Sequence, residues 1–421
     1  MNQPKLSNLA ETLIGSEIVK LGNAIRQQIS LGETIYNFTI GDFDPDIFPI
    51  PTELEEEIIK AYRSHYTNYP VADGELELRE AVSQFIKKRE GLEYAVDEIQ
   101  IASGGRPLIY AIFKTIVDKE DKVIYAVPSW NNNHYVHLVD GEHCVIDASP
   151  ENNFMPTAED IEPHLPTATL LCLCTPQNPT GTTLSKDALT KICQLILAEN
   201  IKRKEGEKKL YLLFDQMYWT LTYGGIEHYN PVTLFPEMKS YTIFVDGISK
   251  AFSATGVRVG WSLGPATIIA KVKAILSHLG AWAPMAEQKA VAKYLLRHEA
   301  IDKYLASFKS ELEYRLQNIY QGIIQLKKEG HSVDAIAPQA AIYLTLQFDL
   351  IGRKTVNGDV LNAQEEVTQY ILSEAKLAIV PFYAFGAPRS STWYRLSVGN
   401  CKKEEIAAML DYLRAALSKL K

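Results

Sequence analysis

Four short stretches of this 421-residue chain put reactive side chains at the ends of apolar runs. In "VDGISKAFSATGVRVG" (245–260) Lys250 closes one such run, and Arg258 follows eight residues later between Gly256 and Gly260. An amine withdrawn from water has a lowered pKa and can form a Schiff base with a carbonyl. A single lysine is more often a solvated surface group, so its neighbours must decide. "LLFDQMYW" (212–219) ends an apolar run on Asp215, with Tyr218 three residues on. A carboxylate there needs a partner, or it simply caps a helix. "IASGGRP" (101–107) sets Gly104, Gly105 and Arg106 between a strand and a helix. Free N–H groups and a helix start attract an anion there, although a plain turn reads the same. "CTPQNPTG" (174–181) presents Asn178 on a proline-stiffened loop.

Together these groups match the needs of pyridoxal phosphate. Its phosphate takes N–H donors and an arginine, its ring nitrogen an acid, and its aldehyde an amine. The elements that must position them are also legible. Seven β-prone runs, at 99–102, 122–127, 143–147, 169–174, 210–215, 241–246 and 259–264, alternate with helical stretches. Several are continuously apolar, as in strands covered by helices on both faces. The fold class is α/β, a mostly parallel seven-stranded sheet covered by helices, with a smaller α+β domain. Ile18, Leu21, Ile25 and Ile29 space a helix over 16–31. Tyr304, Phe308, Leu312, Leu316, Ile319 and Ile323 space a long helix leaving the first domain. Strands at 341–350 and 393–399 and a closing amphipathic helix follow. The expected division is an N-terminal segment, 1–45, packing with a small domain, 301–421, and a large cofactor-binding domain, 46–300.

A net charge of −8 argues against nucleic acid or a membrane surface as main partner. No run approaches the length of a membrane span, and the first residues contain no apolar leader, so a cytoplasmic location is expected. The five cysteines lack metal or redox spacing and read as core thiols in a reducing compartment. "KRKEGEKK" (202–209) mixes charge signs and reads as a solvated loop. Asp42, Asp44, Asp46 and Glu53 have calcium-loop spacing. Ile47 replaces the required glycine and prolines interrupt the loop, so no metal is expected.

Taken in order, these motifs resemble the fold type I, class I aminotransferases over nearly the whole chain. The resemblance implies that Lys250 carries the cofactor as a Schiff base and that Arg258 holds its phosphate. It makes Asp215 the partner of the ring nitrogen, and Tyr218 and Asn178 the donors to its phenolate oxygen. Trp130, in "VPSWNNNHY", is similar to the aromatic that stacks on the ring. Gly105, Arg106 and Ser249 fall in the phosphate-binding segments. "YPVADGELELR" (69–79) resembles the segment whose tyrosine, here Tyr69, reaches the phosphate of a neighbouring subunit, which implies a homodimer with shared active sites. Gly41, in "GDFDPD", and Arg395, in "WYRLSVG", match residues that receive the substrate's α-carboxylate. Two departures stand out. Gly247 occupies a position where the family often has a phosphate-binding serine, and "PQAAIY" (338–343) carries alanines where it often has glycine.

The implied reaction is transamination between an amino acid and a 2-oxo acid, with Lys250 moving the proton. Arg106 stands where one branch of the family has a lysine for the distal carboxylate of aspartate. The substrate expected first is therefore aspartate or glutamate. The alternatives are an aromatic or aliphatic amino acid, or β-elimination from cysteine conjugates. No GxGxxG follows the first strand, which excludes a nicotinamide-binding dehydrogenase.

Overall fold

The computed structural model describes residues 5–421 apart from 14, 16 and 31. The helix expected over 16–31 spans Glu17–Ser30. Both expected ends, and the Ile18 side chain, lie outside the described residues. Ile25 is buried and Leu21 half-buried, while Ile29 is exposed.

A two-residue strand, β1 (Tyr36–Asn37), follows. The seven apolar runs then form one sheet from β2 (Ile99–Ala102), β3 (Lys122–Val127), β4 (Glu142–Asp147), β5 (Ala168–Cys174), β6 (Tyr211–Asp215), β7 (Thr242–Gly247) and β8 (Gly260–Leu263). Their spatial order is β2-β8-β7-β6-β5-β3-β4. All run parallel except β8, which is antiparallel to both its neighbours.

Side chains alternate between the faces of a strand, and here both faces are covered. Leu171, Leu173, Leu212, Phe214 and Phe244 pack with Leu78, Phe85, Leu189 and Ile192 in one core. Leu170, Cys172, Leu213, Ile243 and Val245 pack with Leu108, Ile112 and Phe113 in another, on the opposite face. This two-sided burial is why the strands read as unbroken apolar runs.

The long helix is His298–Lys328. Its Ile301 and Leu305 belong to the first core, and Phe308 through Leu326 to a further one. That further core also receives Phe38, Phe43 and Phe48, and Tyr218. Strands β9 (Val333–Ala335), β10 (Tyr343–Phe348), β12 (Val380–Pro381) and β13 (Trp393–Ser397) form an antiparallel sheet beside it in the order β12-β13-β10-β9. Strand β11 (Leu377–Ala378) pairs in parallel with β1. The chain closes with the helix Glu405–Ser418.

The charged run at 202–209 is less free than expected. Arg203 pairs with Glu199 and donates to the carbonyls of Leu165, Ala168 and Lys208, so it pins the loop down. Asp42 and Asp44 are occupied with local N–H groups, and Asp42 also accepts from Thr255. No cluster suited to a metal occurs among the described residues.

Candidate active site

The carboxyl ends of β5, β6 and β7 open into a cavity of about 630 Å³. Ligands collect at such strand ends because the adjoining loops can diverge there. Gly41, Gly105, Arg106, Trp130, Asn178 and Asp215 all line it. So do Tyr218, Ser249, Lys250, Arg258 and Arg395. Tyr69 does not. It is 83% exposed and rests edge-on against Trp282.

Alternation along the strands places the polar groups. Asp215 ends β6 on the same face as Leu213, laterally paired with Cys174 of β5. Its Oδ1 accepts from the Met217 N–H at 3.1 Å. Burial pushes Asp215 up to about 6, against the pull of that N–H and the Cys174 thiol. Cys174 was expected to be a plain core thiol. It instead faces the cavity, because its strand ends there.

Lys250 lies three residues past the end of β7, in the short helical turn Ile248–Ala251. Its Nζ donates to the Gly41 carbonyl at 2.7 Å. Burial lowers it to about 8, against the attraction of Asp42. Arg395, Arg106 and Arg258 lower it further. A nucleophilic amine benefits from this, because more of it is neutral near physiological pH.

The anion end is built from glycines. Gly104 has φ +92° and precedes the helix Gly105–Ile116. A Cβ on Gly104 would run into the Arg258 guanidinium. Arg258 is held by the carbonyls of Thr255 and Ser103, both at 2.7 Å. Gly247 explains the missing serine. A Cβ there would lie 2.9 Å from both Gly260 Cα and the Val259 carbonyl of the adjoining segment. Ser249 and Thr255 line the cavity near this turn.

At the other end Arg395 is 1% exposed, between the rings of Tyr343 and Phe385 at 4.8 Å each. It donates to Asn178 Oδ1 at 3.0 Å and to the Thr39 carbonyl at 2.7 Å. Its Nε is buried with no partner among the described residues. A buried donor left open in this way suits an incoming carboxylate. Tyr218 and Tyr343 share a 2.6 Å hydroxyl contact. Burial raises Tyr218, which keeps it a neutral donor. Arg106 lies over the Trp130 ring at 5.2 Å.

Tyr343 and Arg26 escaped sequence reasoning although both line the cavity. Tyr343 sits inside an apolar strand and reads as core. Arg26 follows Ile25 on the Glu17–Ser30 helix, and nothing in that helix's pattern points it at the sheet. The two alanines of "PQAAIY" are buried, and Ala341 takes φ +60°, a conformation glycine adopts more easily.

Residues 33–413 match the family model for class I and II aminotransferases. The chain is 29% identical over 379 residues to a probable aspartate/prephenate aminotransferase of Rickettsia bellii, covering 89% of this chain and 90% of that one. It is 27% identical over 419 residues to an aspartate aminotransferase of Geobacillus stearothermophilus, covering 99% and 98%. The crystal structure of the aspartate aminotransferase from Rhizobium meliloti superposes over 100% of both chains with a TM-score of 0.89 and 25% identity. A match of this extent, over a cavity holding a buried lysine, an aspartate and an arginine with an open donor, places the chain in the class I and II aminotransferase family.

Proposed function

We propose that this chain moves the amino group of aspartate or glutamate to a 2-oxo acid, using pyridoxal phosphate held at Lys250. The observation that carries the reading is one cavity holding the buried Lys250 amine and, on a separate core, the open Nε of Arg395. The residues fit the cofactor. Gly104, Gly105, Ser249 and Arg258 would hold its phosphate, Asp215 would partner its ring nitrogen, and Trp130 would offer a stacking surface.

When bound, pyridoxal phosphate supplies an aldehyde for the amine and a ring that delocalises the electron pair left at Cα. Asp215 would keep the ring nitrogen protonated, and an N–H⁺ beside it would draw Asp215 back toward the ionised form. Arg395 grips the α-carboxylate through its open Nε and a second nitrogen. This grip orients the Cα–H bond toward Lys250. Lys250 Nζ, neutral and close to where Cα would lie, would take the proton from Cα and hold it for return to the reacting system. Tyr218 and Asn178 donate to the ring oxygen. Arg106 receives the distal carboxylate, and its stacking on Trp130 fixes the planar fork that such a grip requires. A second copy of the chain completes the site by bringing in Tyr69, which its own cavity does not use.

The relatives named above carry aspartate in their names, which supports an acidic substrate. The test is a panel of amino acids against 2-oxoglutarate, and oxaloacetate for glutamate, with the reconstituted enzyme. Aspartate and glutamate should exceed alanine and phenylalanine by at least tenfold in kcat/KM, about the discrimination one charge-assisted contact gives. Faster turnover of phenylalanine would overturn the substrate. Ammonia and pyruvate formed without an acceptor would replace transfer with elimination.

A further inference from the structure

The segment that presents Asp215 has a second side. Asp215, Met217 and Tyr218 line the active cavity, whereas Gln216 and Trp219 point the other way. Behind them lies a separate cavity of about 610 Å³. Its walls are the end of the helix Leu76–Glu90, the segment 219–233 and the first half of the helix His298–Lys328. The transamination reading gives this space no role.

Its polar lining is unevenly satisfied. The acids at the rim are already occupied. Asp302 pairs with Arg89 at 2.7 Å, and Glu227 accepts from Tyr229 at 2.6 Å. The donors are not. The Arg89 Nε and the Thr220 Oγ1 are buried without a partner among the described residues, and Thr220 is only 8% exposed. Lys309 forms no ion pair among the described residues and feels only Glu313. Glu90 Oε2 accepts from the Gln216 amide at 2.7 Å, while its Oε1 is buried and open. Burial and the nearby Asp246 raise Glu90, so it holds a proton more firmly than an exposed carboxyl. His228 stays neutral, because burial lowers it to about 3. Buried polar atoms left open are uncommon in folded proteins, and a set of one kind points to the complementary group. Apolar surface from Trp219, Ile226 and Leu305 completes the walls.

We propose that this second cavity binds a small organic carboxylate with a flat or apolar body. Its oxygens meet the open donors of Arg89, Thr220 and Lys309, and its body lies along Trp219. The site is separate from the one where Arg395 receives substrate, so it stands or falls independently of the reading of the reaction.

Benzoate is a suitable probe, titrated calorimetrically into the reconstituted full-length enzyme. Two sites are expected, one of them displaced by amino acid substrate at the active centre. Lys309→Met should weaken only the undisplaced site, by about tenfold or more. Thr220→Val should weaken that same site while leaving the fold at least as stable, because it removes a buried open hydroxyl. Turnover without benzoate should stay within about twofold in both variants. A single site that substrate displaces completely would overturn the proposal. So would a second site unaffected by both substitutions.

Discussion

At Lys250 the folded protein works against the charge of its own side chain. Burial holds the amine near 8 instead of its usual 10.5, so the cofactor-free fold carries a penalty on the order of 3 kcal/mol wherever the amine is charged. The penalty is complete below pH 8. Between pH 8 and 10.5 the unfolded chain holds the proton more firmly than the folded one, so stability rises with pH. Lys250→Met removes the penalty. Cofactor-free Lys250→Met should therefore unfold at higher denaturant than wild type at pH 7, and the gap should narrow as pH approaches 10.5. A pH-independent gap would show that the amine is not desolvated. The same substitution should abolish turnover. Arg106 tests specificity at the same scale. Arg106→Ala should lower kcat/KM for aspartate by roughly 10²-fold while leaving alanine within a few fold. Equal losses on both would remove its role at the distal carboxylate.

Between elements, the controlling contacts are backbone against backbone. Gly247 packs on Gly260, and Gly260 in turn packs on Gly104, where a Cβ would lie 2.8 Å from the Gly104 carbonyl carbon. This row of bare backbones draws the ends of β7, β8 and β2 together and brings the Gly105–Ile116 helix up to the anion cradle. Gly247→Ser, the residue that the family resemblance leads one to expect there, should therefore destabilise the protein by about 1–3 kcal/mol through overpacking. It should not tighten cofactor binding. Unfolding curves and a cofactor titration check both outcomes. This is where sequence reasoning reached its limit. Six of the seven strands were legible because burial on both faces writes continuous apolar runs, whereas β4 is largely exposed at the sheet edge. Lys250, Asp215 and Arg258 were legible because they interrupt such runs at strand ends. The antiparallel course of β8 was not, because pairing direction leaves no mark on a four-residue apolar strand. Tyr343 was hidden for the opposite reason, since its ring packs as core although the residue also lines the cavity. Gly247 read as a loss from sequence alone, and its cause appeared only with the opposing strand in place.

For the whole molecule, the first question is how many copies make one site. Tyr69 is exposed in its own chain, so the proposed dimer predicts complementation. Tyr69→Ala should bind cofactor more weakly, and Lys250→Ala should be inactive. Mixed and allowed to exchange subunits, the pair should gain activity over either alone, because one site of each mixed dimer then combines an intact lysine with an intact tyrosine. No gain on mixing would remove Tyr69 from the neighbouring site. The second question is mechanical. The His298–Lys328 helix is embedded in one core as far as Leu305 and in another from Phe308 onward. From Phe308 to its end it is a rod about 30 Å long. A tilt of about 5° at the junction displaces the far end by about 2.6 Å over that length. Lys250 and Asp215 are fixed to the sheet, whereas β13, which carries Arg395, belongs to the core at the rod's far side. The bending stiffness of that helix junction, together with the Arg395–Asn178 and Tyr218–Tyr343 hydrogen bonds that tie β13 and β10 to the loops of the large sheet, therefore sets how accurately the carboxylate grip is aimed at the amine.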